Sequence, residues 1–141
     1  MSERLALRLR NDLQEIERMT QEVAAWRQQQ ALSEEVEFQI DLVLDEIVSN
    51  VIRHGLKDHE PHIIVVNLSC NGDDLTLEVE DDGVPFNPLK APPPDITKPI
   101  EERRIGGLGI HLVRTIMNTL EYERRGEKNH LLMRKNLKRE P

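Results

Sequence analysis

Two polar side chains in the stretch DLVLDEIVSNVIRHG, residues 41–55, are able to do chemistry: the carboxylate of Glu46 and the carboxamide of Asn50. A carboxylate can take a proton from an attacking hydroxyl, and an amide oxygen can ligate a hard cation such as Mg2+. Around them Val36, Ile40, Val43, Leu44, Ile47, Val48, Val51 and Ile52 recur at the three-four spacing of a helix with one buried stripe. At about 100° per residue, Glu46 and Asn50 fall one turn apart on a shoulder of that stripe, and Asp41, Asp45 and Ser49 take the outer face. Two polar residues at a core boundary would give the same pattern, so both readings stay open on this stretch alone.

A second candidate lies at the end of LTLEVED, residues 75–81. Leu75, Leu77 and Val79 alternate against Thr76, Glu78 and Glu80, and continuing the alternation turns Asp81 toward the core. A carboxylate placed there costs several kcal/mol in desolvation unless something satisfies it. Asp81-Asp82-Gly83 is also turn chemistry, so a turn hydrogen bond and a ligand contact explain it equally well. The third candidate is Ile105-Gly106-Gly107-Leu108-Gly109-Ile110, directly before an apolar helix carrying Leu112, Val113, Ile116, Met117 and Leu120. Glycines at a helix start let the backbone approach an anion, with free N–H groups and the positive dipole end aimed at it. No Gly-Lys-Ser/Thr follows, so it is not a Walker A loop, and no strand feeds into it as a dinucleotide fingerprint requires.

The elements that must position these residues follow from the pattern. Leu5, Leu7 and Leu9 alternate in a half-buried strand over residues 4–10. A helix then runs to about residue 30, capped by Asn11 or Asp12, with Leu13, Ile16, Val23 and Trp26 inward. Ser33 caps the central helix and Gly55 ends it. HIIVVNLSC, residues 62–70, is a strand, and Asn71-Gly72-Asp73-Asp74 turns it back into residues 75–81. Six of the eight prolines fall between Pro85 and Pro99, so residues 84–105 read as a lid, ending in the charged run Glu101, Glu102, Arg103, Arg104. Strands over 120–125 and 130–135 close the fold around Gly126-Glu127-Lys128-Asn129.

At 141 residues the chain is expected to be one domain, 1–141. Four aromatic residues make for an aliphatic core, and a net charge of −7 argues against a nucleic-acid binder. A lone Cys70 fits a reducing compartment, and the absence of a membrane-span run or signal-peptide core points to the cytoplasm. The five histidines have no compact metal-ligand spacing, and no nucleophile elbow is present.

A helix bearing E-x-x-x-N, a strand ending D-x-G-x-P, a Pro-rich lid and a G-G-x-G helix start, in that order, resemble the GHKL ATPase superfamily. Within it, IVSNVIRHG, VEDDGVPFNP and RRIGGLGIHLV are similar to the anti-sigma-factor serine/threonine kinases. The resemblance implies the Bergerat ATP-binding fold: a two-layer α/β sandwich with a mixed, mostly antiparallel sheet of about five strands and helices on one face. It implies ATP and Mg2+, with the nucleotide between central helix, lid and sheet. Residue by residue, it makes Glu46 the general base, Asn50 the Mg2+ ligand, Asp81 the acceptor of the adenine amino group and Gly83 the residue that lets the base approach. Gly107 and Gly109, with Gly106 beside them, form the phosphate turn. Charge and position add Arg103 and Arg104 as residues that reach the terminal phosphate.

The implied partners are a STAS-type anti-sigma-factor antagonist, phosphorylated on a hydroxyl, and a sigma factor; relatives suggest a homodimer. Two departures stand out. Pro85 replaces a glycine common among relatives, and Leu131-Leu132-Met133 occupies the strand where relatives place a threonine near adenine, leaving one adenine contact without a residue. Two other readings are a nucleotide-gated binding module without kinase activity and a detached histidine-kinase catalytic domain. Against the second stands the lack of a dimerisation helix pair with an acceptor His.

Overall fold

In a computed structural model of the chain, residues 4–56, 58–87 and 107–137 are described. Strand β1 (Arg4–Arg10) leads into α1 (Glu15–Gln28) and α2 (Glu34–Asn50), which passes directly into a π-helical turn, Val51–Gly55. Then come β2 (Ile63–Asn71), β3 (Asp74–Asp81), α3 (Gly107–Ile116), β4 (Thr119–Arg125) and β5 (Lys128–Asn136). The strands lie side by side in the order β1-β2-β3-β5-β4.

The sequence predicts a mixed, mostly antiparallel sheet of about five strands; five are present, and all four pairings among the described residues are antiparallel. The cause is topological. β3 and β4 point the same way and are joined through α3, but β5 folds back between them as the second arm of a hairpin. The parallel relation is present and never becomes a ladder.

Alternation places Leu7, Leu9, Ile64, Val66, Leu68, Cys70, Leu75, Leu77, Val79, Leu131 and Met133 in one buried layer. The helices add Met19, Val23, Trp26, Ile40, Val43, Leu44, Ile47, Val48, Ile110 and Val113. Burying each such aliphatic side chain contributes about 1.5–3 kcal/mol, so this seam between helices and sheet holds the two layers together. α2 packs against both α1 and α3.

Several details differ from the pattern reading. Asp12 does not cap α1; its Oδ1 accepts the Gln14 N–H at 2.9 Å in a turn before the helix. Asn11 instead receives the His62 N–H and donates to the Glu60 carbonyl, tying β1 to the loop before β2. Leu13 precedes α1 and is exposed, and Met19, which the pattern reading did not name, is buried in line with Val23 and Trp26. Leu112 is also on the solvent side, because the stripe of α3 is set by Ile110, Val113 and Met117. The β4–β5 turn is two residues, Gly126-Glu127, with Arg125 paired to Lys128, so Lys128 and Asn129 belong to the strand. Gly126 has φ +59°, the left-handed backbone that such a tight hairpin turn requires.

Candidate functional site

Helix α2 begins where Ser33 accepts the Val36 N–H at 3.2 Å and its first turn carries Glu34, Glu35 and Glu37, which suit the helix dipole. Its inward stripe sets the rotation of everything downstream. Glu46 emerges half-buried and Asn50 buried, one turn apart as expected. Ser49, expected outside, is buried, and its hydroxyl donates back to the Glu46 carbonyl. The Asn50 amide makes no hydrogen bond to a described residue, and its Nδ2 is sealed from solvent without a partner. A buried amide left unpaired costs about 1–3 kcal/mol, which marks a position built to meet something else.

Past Asn50 the helix widens into the π turn and ends at Gly55. The Gly55 carbonyl accepts the Val84 N–H at 3.1 Å, so the end of α2 is pinned to the chain leaving β3. This contact needs Gly83. A Cβ there would drive into the Gly55 carbonyl and stand 2.9 Å from Asp81 Oδ1. Such π turns recur at functional sites, where they realign a helix end.

Asp81, 5% exposed, faces inward as the alternation of β3 requires. Its Oδ1 accepts the Gly83 N–H at 2.8 Å and Asn129 Nδ2 at 3.0 Å. Burial raises its pKa; the bonds from Asn129 and Gly83 oppose that, Asp82 adds to it and Arg124 counters it. Asp81, Asn50, Ile47, Val51 and Val79 wall a narrow cleft with Phe86, Tyr122, Asn129 and Leu131, whose free volume is about 20 Å³, the room of a single water. Apolar walls with a few polar groups are the usual chemistry of small-ligand sites.

Gly107 opens α3, and Gly109 in its first turn is buried against α2. A Cβ on Gly109 would collide with the Glu46 carboxylate, so that carboxylate lies directly on the helix start. The first N–H groups of a helix have no acceptor within it, and the dipole makes them attractive to anions. Burial raises the Glu46 pKa, Asp45 adds to it, and Arg53 partly offsets it. A carboxylate held this way is a better proton acceptor than an exposed one.

Glu46, Asn50, Asp81, Gly83, Gly107 and Gly109 are therefore brought around one end of α2. Arg103, Arg104, Gly106 and most of the lid lie outside the described residues. Oxygen donors on Asn50 and Glu46 fit a hard cation, and among the described residues no group of three or more His, Cys, Asp or Glu could hold a metal without further ligands. Mg2+ commonly completes its shell with water and phosphate oxygens, so two protein donors suffice.

Three contributors escape a reading of the sequence. Asn129 bonds Asp81, and Tyr122 donates to Asn129 Oδ1. Arg124 Nη1 donates to the Gly83 carbonyl at 2.7 Å from the tip of β4. No local signal marks them; the only pointer is that the β4–β5 hairpin is unusually polar for strands so close to a core.

Known proteins resemble this chain in sequence and in fold. A family model described as a histidine kinase-like ATPase domain matches residues 9–135. The chain is similar to the serine/threonine-protein kinase BtrW of Bordetella bronchiseptica, 29% identical over 72% of this chain and 71% of that protein. It is also similar to the anti-sigma F factor of Clostridium perfringens, 29% identical over 70% and 71%. With the serine-protein kinase RsbW of Bacillus mycoides the identity is 32% over 57% of this chain, which spans only 52% of that relative. In fold it resembles the histidine kinase AdeS of Acinetobacter baumannii, with TM-score 0.52 and 16% identity over 96% of this chain and 68% of that one. The chain belongs to the histidine kinase-like ATPase domain family, the GHKL type, and its similar relatives are named as kinases and anti-sigma factors.

Proposed function

We propose that the chain is an ATP-dependent serine/threonine protein kinase and anti-sigma factor, which phosphorylates a small STAS-type antagonist and sequesters a sigma factor. The observation that carries this reading is the seating of Glu46 on Gly109. A half-buried carboxylate of raised pKa lies on the first turn of a helix, one turn from a buried amide whose Nδ2 has no partner among the described residues.

In this reading Asp81 accepts the adenine amino group and Gly83 leaves room for the base. The N–H groups at Gly107–Gly109, with Gly106, hold the phosphates. Glu46 takes the proton of a serine or threonine hydroxyl as its oxygen bonds to the terminal phosphorus and the bond to the ADP oxygen breaks. Such transfer needs mainly positioning and charge neutralisation from the protein. Asn50 Oδ1, with Glu46 beside it, would hold Mg2+, which when bound neutralises phosphate charge. Arg104, by its charge and place in the chain, reaches the terminal phosphate. The protein is read as a cytoplasmic homodimer; no described helix is long and apolar enough to cross a membrane.

The test is incubation with Mg-ATP and antagonists encoded beside it, with phosphate located by mass spectrometry. Phosphoserine or phosphothreonine is expected. Glu46→Ala should keep ATP binding by calorimetry and lose transfer by roughly 10²–10⁴-fold. Asp81→Asn should weaken ATP binding by about 10- to 100-fold. Normal transfer in Glu46→Ala would remove Glu46 from the mechanism, and an acid-labile product would turn the reading to a detached histidine-kinase domain.

A further inference from the structure

Asn129, 5% exposed, engages both ends of its amide. Oδ1 accepts the Phe86 N–H at 3.2 Å and the Tyr122 hydroxyl, while Nδ2 donates to the Val84 carbonyl at 2.9 Å and to Asp81 Oδ1 at 3.0 Å. Two partners work in one sense only. The Phe86 N–H can only donate and the Val84 carbonyl can only accept, so the amide has one possible orientation. The second Nδ2 proton must then point at Asp81. The Gly83 N–H, another obligate donor, reaches the same Oδ1 at 2.8 Å. Asp81 Oδ1 is saturated by two N–H groups, while Oδ2 has no hydrogen bond among the described residues and is left for a ligand in the cleft.

We infer that Asn129 sets the base specificity of this cleft: by fixing Asp81 as an ionised acceptor, it selects a purine with an amino group at the six position over one with a keto group there. This rests on the nucleotide reading of the cleft. An ionised Oδ2 can accept from a 6-amino group and repels a 6-keto oxygen. A protonated carboxyl, with Oδ1 still receiving the Gly83 N–H, would carry its proton on Oδ2 and donate to the keto oxygen instead. Hydrogen bonds to the charged form hold a carboxyl ionised against burial, and Asn129 supplies one of the two here. The charged groups acting on Asp81 are Asp82, next in the chain, and Arg124 from β4. α2 offers it the neutral Asn50, and β4 also offers Tyr122, whose hydroxyl is given to Asn129.

The experiment compares binding of ATP and inosine triphosphate, its 6-keto counterpart, to the full chain between pH 6 and 8. The wild type should prefer ATP by roughly 100-fold, nearly independent of pH, as expected when a mismatched buried group is left unpaired. Asn129→Ala removes the amide donor and leaves Asp81 Oδ1 with the Gly83 N–H alone. Its preference should fall by about tenfold or more at pH 6 and recover as pH rises. Asn129→Ser, whose hydroxyl ends one atom short of the amide nitrogen's place, should behave like the alanine variant and makes the comparison should Asn129→Ala not fold. Asn129→Asp sets a second carboxylate against Asp81; the proton the two share is donated to Oδ1 as the amide proton was, so it should hold most of the wild-type preference at pH 6. Preference equal to wild type and flat with pH in both Asn129→Ala and Asn129→Ser overturns the inference, as does an aspartate variant as relaxed at pH 6 as the alanine one. A wild type that binds neither nucleotide, or both alike, instead refutes the nucleotide reading itself.

Discussion

Gly83 and Gly109 are both places where a methyl group has no room, yet alanine at each should fail in different ways. At Gly83 the new Cβ would meet backbone, the Gly55 carbonyl, with the Gly55 carbonyl carbon at 2.8 Å. Backbone pinned by the Val84–Gly55 hydrogen bond cannot step aside cheaply, so Gly83→Ala should destabilise the fold by about 1–3 kcal/mol. At Gly109 the three atoms nearest the Cβ all belong to the Glu46 side chain, its carboxylate and, at 3.1 Å, its Cγ. That side chain makes no hydrogen bond through its carboxylate to a described residue and can rotate away. Moving it off its preferred rotamer costs about 0.5–1.5 kcal/mol, and replacing glycine by alanine in a helix returns about 0.5–1 kcal/mol. Gly109→Ala should therefore melt close to wild type. The displaced carboxylate is the proposed base, and a misplacement of about 1 Å is enough to cost some 10²-fold in rate. The assay is single-turnover phosphate transfer to the antagonist protein, beside thermal melts and ATP calorimetry. Adding Gly109→Ala to Glu46→Ala should cost little further, because the group it displaces is already gone. Wild-type transfer in Gly109→Ala, or a full further loss on top of Glu46→Ala, would refute the link between this glycine and the base.

Two further predictions concern pH. Glu15, buried at the start of α1, accepts Arg18 Nε at 2.8 Å and the Arg10 backbone N–H at 3.0 Å; these bonds, led by Arg18, hold its pKa at about 2 against burial. A lowered carboxyl pKa gives stability that is complete above its ordinary value of 4.5 and is lost as pH falls through about 2, so Glu15→Gln should lower the melting temperature at pH 7 and flatten the acid limb of the melting profile. An acid limb unchanged in Glu15→Gln would contradict this. His62 bridges Asp58 and Asp82 at 2.8 Å each, and its pKa is raised, chiefly by the Asp58 bond with Asp82 adding to it and burial opposing. A raised imidazole pKa gives stability that is complete below 6.5 and lost as pH rises through the folded value, so melts across pH 6–9 should decline on the alkaline side in the wild type and less so in His62→Gln.

What the sequence made legible, and what it did not, divides along a physical line. Helical and strand periods are local, so the stripe of α2 places Glu46 and Asn50, and the alternation of β3 turns Asp81 inward, before any neighbour is known. The same local rule fails where a second element decides. Ser49 sits on the outer arc of its own helix and is buried all the same, and Leu112 is apolar but lies off the stripe that α3 presents.

Asn129 shows why no side-chain partner for Asp81 could be named from the sequence. A four-residue turn over Gly126–Asn129 leaves it in a loop, whereas the two-residue turn starting at Gly126 draws it into β5, opposite Asp81. One change in loop length moves every pair in the hairpin, and the single local clue to the shorter loop is Gly126 at its first position. The arrangement also answers how Asp81 can stay buried: the carboxylate is readable because its own strand aims it, and its stabiliser is hidden because a different hairpin supplies it. Groups that act through their own chemistry can be found by type and spacing. Groups that act by holding another side chain, as Asn129 and Arg124 do here, become visible only once register has made them neighbours.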